Sequence, residues 1–145
     1  MIKKILVFLV VCLPTMGLAQ KKDSLVLICP LNNATEPPAE KQPYSLGVKE
    51  LKIVLVSTTD TTVKACMAGT ITNVMKDEDG TWTVMFNSKD YYFLYSGISK
   101  ATARKGQKVA KGDAIGILNP KAKLEFQLYD FETPLDPKQY VDCIK

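Results

Sequence analysis

The chain has no histidine and four cysteines, so its reactive side chains are thiols, carboxylates and amines. Lys123 and Glu125 stand two apart in KLEFQLYD, and on a strand that spacing puts the ammonium and the carboxylate on one face. Cys29, Cys66 and Cys143 are three thiols without an imidazole. They do not make a structural zinc site, which takes four N or S ligands. In an oxidising compartment they make one disulfide and leave one thiol over. Three pairings are open. Cys29 with Cys143 is favoured because it ties the first strand to the tail, and a loop that long contributes about 4–5 kcal/mol in the chain-entropy account. Cys66, in Lys64-Ala65-Cys66-Met67-Ala68, reads as a small core residue. The turn Asp77-Glu78-Asp79-Gly80 lacks the spaced oxygen ligands and closing glutamate of a calcium loop. Trp82 reads as a core or rim aromatic before it reads as a ligand-stacking one.

These groups are carried by a chain that begins like an exported one. Residues 1–19 have a positive start at Lys3 and Lys4, an apolar run from Ile5 to Leu13, and a small-x-small site at Gly17-Leu18-Ala19. The run is too short to span a bilayer, which takes roughly 20 apolar residues. Cys12 follows Val11 rather than a small residue, so it is not read as a lipid-attachment site. Removing Lys3 and Lys4 with this leader takes the 19 basic residues to 17, against 15 acidic. That near-balance gives no electrostatic argument for nucleic acid or for an acidic membrane surface. The remainder is the size of one domain, read as 20–49, an N-terminal strand and Pro-rich loop, and 50–145, a β domain.

Almost every segment of that domain reads as a short strand. Ser24 to Cys29 is a β-rich run ended by Pro30, and Pro37, Pro38 and Pro43 make the following stretch a loop. Leu51 to Val56 is apolar enough to be placed centrally. The turn from Ser57 to Thr62 carries hydroxyls and Asp60 that cap backbone groups. A strand starts at Val63, and Thr70 to Lys76 and Thr81 to Asn87 form a hairpin. Tyr91 to Tyr95 is a continuous aromatic run, which predicts that both its faces meet protein or a groove. Two glycine turns, KGQKV and KGDAIG, point Val109 and Ile115 inward, and Leu124 to Tyr129 completes the sheet. Asp136 and Pro137 open one helical turn as N-cap and first residue. The predicted fold class is all-β.

Taken in order, VKACMAGTI, YSGIS, KGQKVAKGDAIG, LEFQL and PLDPKQYV resemble the landmarks of the M23 peptidase family, LytM type. That family shows A-x-x-x-G, Y-x-H-L-S, paired V-x-x-G turns, H-x-H-F-E-I and a closing D-P-x-x-Y. The resemblance runs from about Glu50 to Val141. It implies a β-sandwich of the duplicated hybrid motif with a groove and, in active members, a zinc endopeptidase acting on peptidoglycan cross-links. A leading His and Asp and the second His of H-x-H hold the metal; the first His of that strand and the His of Y-x-H-L-S assist. Here those places fall near Glu50 and Val54, on Lys123 and Glu125, and on Gly97. Glu50 and Glu125 are the conceivable substitute ligands, but two carboxylates beside Lys123 suit zinc poorly. The expectation is therefore a salt-bridged patch of Lys123, Glu125 and Glu50, or a polar floor for a bound peptide with Tyr92 or Tyr95 as walls.

Three function classes follow. The favoured one is a non-catalytic M23-like module of the periplasm or cell envelope, using no metal or cofactor. It would bind cell-wall peptide or regulate a cell-wall hydrolase. The second is a peptidoglycan metallo-endopeptidase with atypical carboxylate ligands. The third is a lipoyl- or biotinyl-type carrier, because paired glycine turns occur there and Ser99-Lys100-Ala101 resembles a modified-lysine turn. Lys100 precedes the turns here, whereas in carriers the turns precede the lysine.

Overall fold

The computed structural model describes residues 25–38 and 50–143. The leader at 1–19, Cys12, Ser24 and the loop positions at 39–49 lie outside the described residues. Among the described residues no helix is long and apolar enough to cross a membrane.

Among the described residues the chain forms ten short strands. They are β1 (Lys52–Leu55), β2 (Thr62–Lys64), β3 (Gly69–Lys76), β4 (Trp82–Ser88), β5 (Tyr91–Ile98), β6 (Lys100–Ala101), β7 (Lys108–Val109), β8 (Ala114–Ile117), β9 (Leu124–Asp130) and β10 (Thr133–Leu135). All ladders are antiparallel. The larger sheet runs β1-β9-β5-β4-β3-β7, with β10 also pairing β9, and the smaller one runs β2-β8-β6. Fold class is thus all-β, and a single 3-10 turn, Pro137–Gln139, stands where the helical turn was expected. Its N-cap is Asp136, whose carboxylate accepts from the Lys138 N–H at 3.1 Å.

One apolar cluster joins the two sheets. From the larger sheet it takes Ile53, Leu55, Val84, Phe86, Phe93, Tyr95, Phe126 and Leu128, and from the smaller one Val63 and Ile115. Its aromatic rings touch in sequence. Phe86 and Phe93 have centroids 5.3 Å apart, Phe93 and Phe126 6.0 Å, and Phe126 and Tyr95 5.1 Å. The glycine turns work as the sequence suggests. Gly106 and Gly112 take φ of +83° and +88°, conformations that cost an L side chain energy, and Val109 and Ile115, three residues after each, are buried.

Three expectations are corrected. Leu25–Cys29, the described part of the first run, does not form a strand. Leu27 makes one parallel bridge to Val141, Ile28 donates to the Cys66 carbonyl, and Val26 is 67% exposed. Leu27 is the buried hydrophobic side chain of that run, and Leu25 and Cys29 pack against the core beside it. β1 is an edge strand rather than a central one, because only Ile53 and Leu55 face the core while Lys52 and Val54 face away. β5 alternates rather than burying both faces: Phe93 and Tyr95 are fully buried, whereas Tyr92 is exposed. Continuous aromaticity hid that period because tyrosine serves on either face.

The structure joins Cys29 to Cys143, across a sequence separation of 114. Cys66 is a buried free thiol, and burial pushes it up to about 12, so it stays protonated and unreactive near neutrality. Its backbone N–H donates to the Tyr95 hydroxyl oxygen at 3.0 Å in the core. Tyr95→Phe leaves that buried N–H without an acceptor and should cost about 1–3 kcal/mol. Urea unfolding of the oxidised protein measures it; an unchanged midpoint would contradict this role for the hydroxyl.

Candidate functional site

One face of the larger sheet packs on the core, and the other is open. On the open face β9 presents Glu125, Gln127 and Tyr129, and β5 presents Ser96, Leu94 and Tyr92, paired with them in register. β1 adds Val54 opposite Glu125 and Lys52 opposite Gln127. A cleft of about 610 Å³ lies at the Glu125 end of this face. Its walls come from the β3–β4 turn (Asp77, Asp79), from β4 (Thr83), from the end of β5 (Ser96, Gly97) and from the approach to β9 (Asn119, Lys123).

The structure brings together the positions that the resemblance singled out. Val54 and Ser96 flank Glu125 on its two sides in the ladder. Gly97 lies against the backbone of Lys123, so closely that an added Cβ would overlap the Lys123 carbonyl oxygen. Glu50 reaches the same corner through a residue that the sequence reading did not single out. The Lys52 ammonium sits 2.8 Å from the Glu50 carboxylate and 3.1 Å from that of Glu125. Period two on β1 was the available signal, because Glu50, Lys52 and Val54 alternate with Leu51 and the buried Ile53. Lys52 thus clasps both carboxylates of the expected patch, and Lys123 lines the cleft.

Tyr95 is corrected outright. It is fully buried and bonded to Cys66, so it walls no groove. Tyr92 shares the open face but lies four residues along β5 from Ser96, about 13 Å at strand rise, and does not line the cleft.

The clasp sets the local electrostatics. The hydrogen bond and charge of Lys52 lower the Glu50 carboxyl below its ordinary range. Lys52 is raised, first by the hydrogen bond it donates to Glu50 and also by Glu125, against a partial desolvation that lowers it. A lowered acid favours the clasp above its ordinary range and loses it as pH falls through the shifted value. A raised amine favours the clasp below its ordinary range and loses it as pH rises through its own shifted value. The clasp therefore holds from mild acid to the alkaline lysine range. On the opposite wall the Thr83 hydroxyl donates to Asp77 at 2.8 Å and lies 3.1 Å from the Ser96 hydroxyl oxygen. Asp79 is lowered by the side-chain and backbone donors of Thr81.

Whether these residues would hold the zinc that the resemblance implies is a question of donors. Val54 and Gly97 offer none, Glu50 and Glu125 are engaged by one ammonium, and the chain has no imidazole. Among the described residues no three His, Cys, Asp or Glu side chains group closely enough for a metal ion. This donor set does not fit a zinc ion, which takes at least three N, S or O ligands converging on one point.

A family model described as peptidase family M23 matches residues 51–137. No curated protein sequence matches the chain. Several solved structures are similar in fold. Helicobacter pylori Csd3 matches with a TM-score of 0.65 at 18% identity, covering 84% of this chain and 36% of that one. The catalytic domain of the prophage-encoded M23 protein EnpA from Enterococcus faecalis matches at 0.58 and 20%, covering 77% of this chain and 92% of that one. The antimicrobial peptidase lysostaphin from Staphylococcus simulans matches at 0.56 and 23%, covering 74% of this chain and 50% of that one. The match thus takes in about a third of Csd3, half of lysostaphin and nearly all of the EnpA domain.

Two outcomes test this geometry. Gly97 has φ +84° and no room for a Cβ, so Gly97→His and Gly97→Ala should each destabilise by at least about 2 kcal/mol. Denaturant unfolding checks it, and a wild-type midpoint for both would contradict it. Lys52→Met should raise the Glu50 carboxyl toward its ordinary value, seen by NMR titration, while changing stability little because the clasp is largely solvated. A Glu50 titration unmoved by this substitution would mean that the clasp does not form.

Proposed function

The chain belongs to peptidase family M23, and on that premise we propose that it is a non-hydrolysing member, exported to the cell envelope, that holds cell-wall peptide in the cleft. The observation that carries this reading is the Glu50–Lys52–Glu125 clasp, with Val54 and Gly97 beside it. The chemistry of the family's active members needs a Lewis acid with an open position and imidazoles to move protons. At the corresponding places this chain has an ammonium held between two carboxylates, an aliphatic side chain and a bare backbone. None of these is a Lewis acid or an imidazole.

The same corner suits recognition. A peptide lying along the cleft meets donors from Lys123 and Asn119, hydroxyls from Ser96 and Thr83, and carboxylates from Asp77 and Asp79. Both ends of a zwitterionic peptide and a side-chain amine find opposite charges within one cleft. Such a module would act by occupying cell-wall peptide or by presenting its face to a hydrolase that works on the same polymer. The carrier alternative has little support. Lys100 lies in β6, paired with Ile117 of β8, rather than at the tip of a hairpin.

The test is co-sedimentation of the purified protein with insoluble peptidoglycan, with and without added zinc, followed by mass spectrometry of the soluble fraction. The expected outcome is retention on the polymer with no released muropeptides in either arm. Zinc-dependent release would establish an endopeptidase with carboxylate ligands instead. Failure to be retained at all would remove the binding reading.

A further inference from the structure

Three strands of the open face, β5, β9 and β10, align a row of rings away from the cleft, and β4 adds an amide at one end. Asn87 of β4 is opposite Tyr92 of β5, Tyr92 is opposite Tyr129 of β9, and Tyr129 is opposite Pro134 of β10. Residues directly opposite in antiparallel strands project to the same side. Phe86, Phe93 and Leu128, their strand neighbours, are buried on the core side, so the row faces outward. Tyr92 is 39% exposed, Pro134 is exposed and Tyr129 is half-buried. The Tyr129 hydroxyl donates to the Gln127 side-chain oxygen at 2.9 Å, two residues back on the same strand. That bond holds the phenol ring along the sheet, not standing off it. At a strand spacing of about 4.8 Å, Tyr92, Tyr129 and Pro134 make a platform roughly 10 Å wide.

We propose that this row binds the glycan strand of the polymer whose peptide occupies the cleft, one pyranose ring stacking on Tyr92 and its neighbour on Tyr129. The inference rests on the reading of the cleft as a peptide site. The chemistry is specific to sugars. A pyranose with equatorial substituents presents axial C–H bonds on its flat faces, and their positive edges stack on the negative face of an aromatic ring. The Asn87 and Gln127 amides at the margins hydrogen-bond hydroxyl and acetamido groups. The row carries no ionisable carboxylate or amine, which suits a neutral sugar better than a charged peptide. Spacing supports the pairing of the two sites. Row and cleft lie about 13 Å apart along β5 and β9, and an extended peptide of about four residues at roughly 3.4 Å each spans that distance. A glycan on the row thus delivers a short attached peptide to Ser96 and Glu125.

The probe is a tetramer of β-1,4-linked N-acetylglucosamine, which carries no peptide, titrated by NMR into the purified protein. A peptide lacking sugar is titrated separately. The tetramer should bind saturably and shift Tyr92, Tyr129 and Gln127 resonances, whereas the peptide should shift Ser96, Gly97 and Lys123. Tyr92→Ala and Tyr129→Ala should each weaken tetramer binding by roughly 3- to 10-fold and leave peptide affinity unchanged. Tyr129→Phe keeps the ring and should lose less than Tyr129→Ala, which separates stacking from a general loss of structure. Binding of peptide without any saturable tetramer binding would overturn the glycan platform while leaving the cleft reading intact. Tetramer binding that survives both alanine variants would overturn it too. Tetramer binding at the row without peptide binding would support the platform and remove the peptide from the cleft.

Discussion

The pairing of β5 with β9 is the constraint on which the molecule depends. Tyr95 opposite Phe126 and Phe93 opposite Leu128 fill the core, and Ser96 opposite Glu125 and Tyr92 opposite Tyr129 face out. Because side chains alternate with period two, a slip of one residue would move every member of one set onto the other face. Four fully buried side chains oppose that slip, each worth roughly 2–3 kcal/mol of burial. The core thereby fixes where the open face puts its polar groups, and the cleft inherits its geometry from hydrophobic packing on the far side of the same two strands.

At the Glu125 end of that face, the fold sets a charged clasp beside the cleft. Lys52 satisfies two carboxylates that would otherwise repel each other across β1 and β9. Gly97 lets the end of β5 close on the Lys123 carbonyl in a backbone conformation that an L residue enters at a cost. These features support each other. An ammonium between two carboxylates needs no metal to balance them, and a strand end without a side chain leaves the cleft open beside it. A histidine placed at Gly97 would meet the Lys123 carbonyl, and a new ligand beside Glu125 would meet the charge of Lys52.

Much of this was legible in the chain. The glycine turns around Val109 and Ile115, the hairpin from β3 to β4 and the Asp136 cap follow from local rules, and the family landmarks placed Val54, Gly97, Lys123 and Glu125 within one corner. What local rules missed depends on pairing between distant strands. Lys52 becomes the clasp only because β1 sets it opposite Gln127, 75 positions on in the sequence. Tyr95 and Tyr92 look alike in an aromatic run, and only register sends one to the core and the other to the surface. Likewise the ring row needs β5, β9 and β10 side by side, a juxtaposition that no window of the sequence contains.

The most direct measurement is an NMR titration of the zinc-supplemented, isotope-labelled protein with a soluble peptide-bearing muropeptide, followed by mass spectrometry of that ligand. A member of the family that binds without cutting predicts saturable shifts at Ser96, Gly97, Lys123 and Glu125 and an intact ligand after prolonged incubation. A cleaved ligand, or an intact one that shifts none of these residues, would contradict that account.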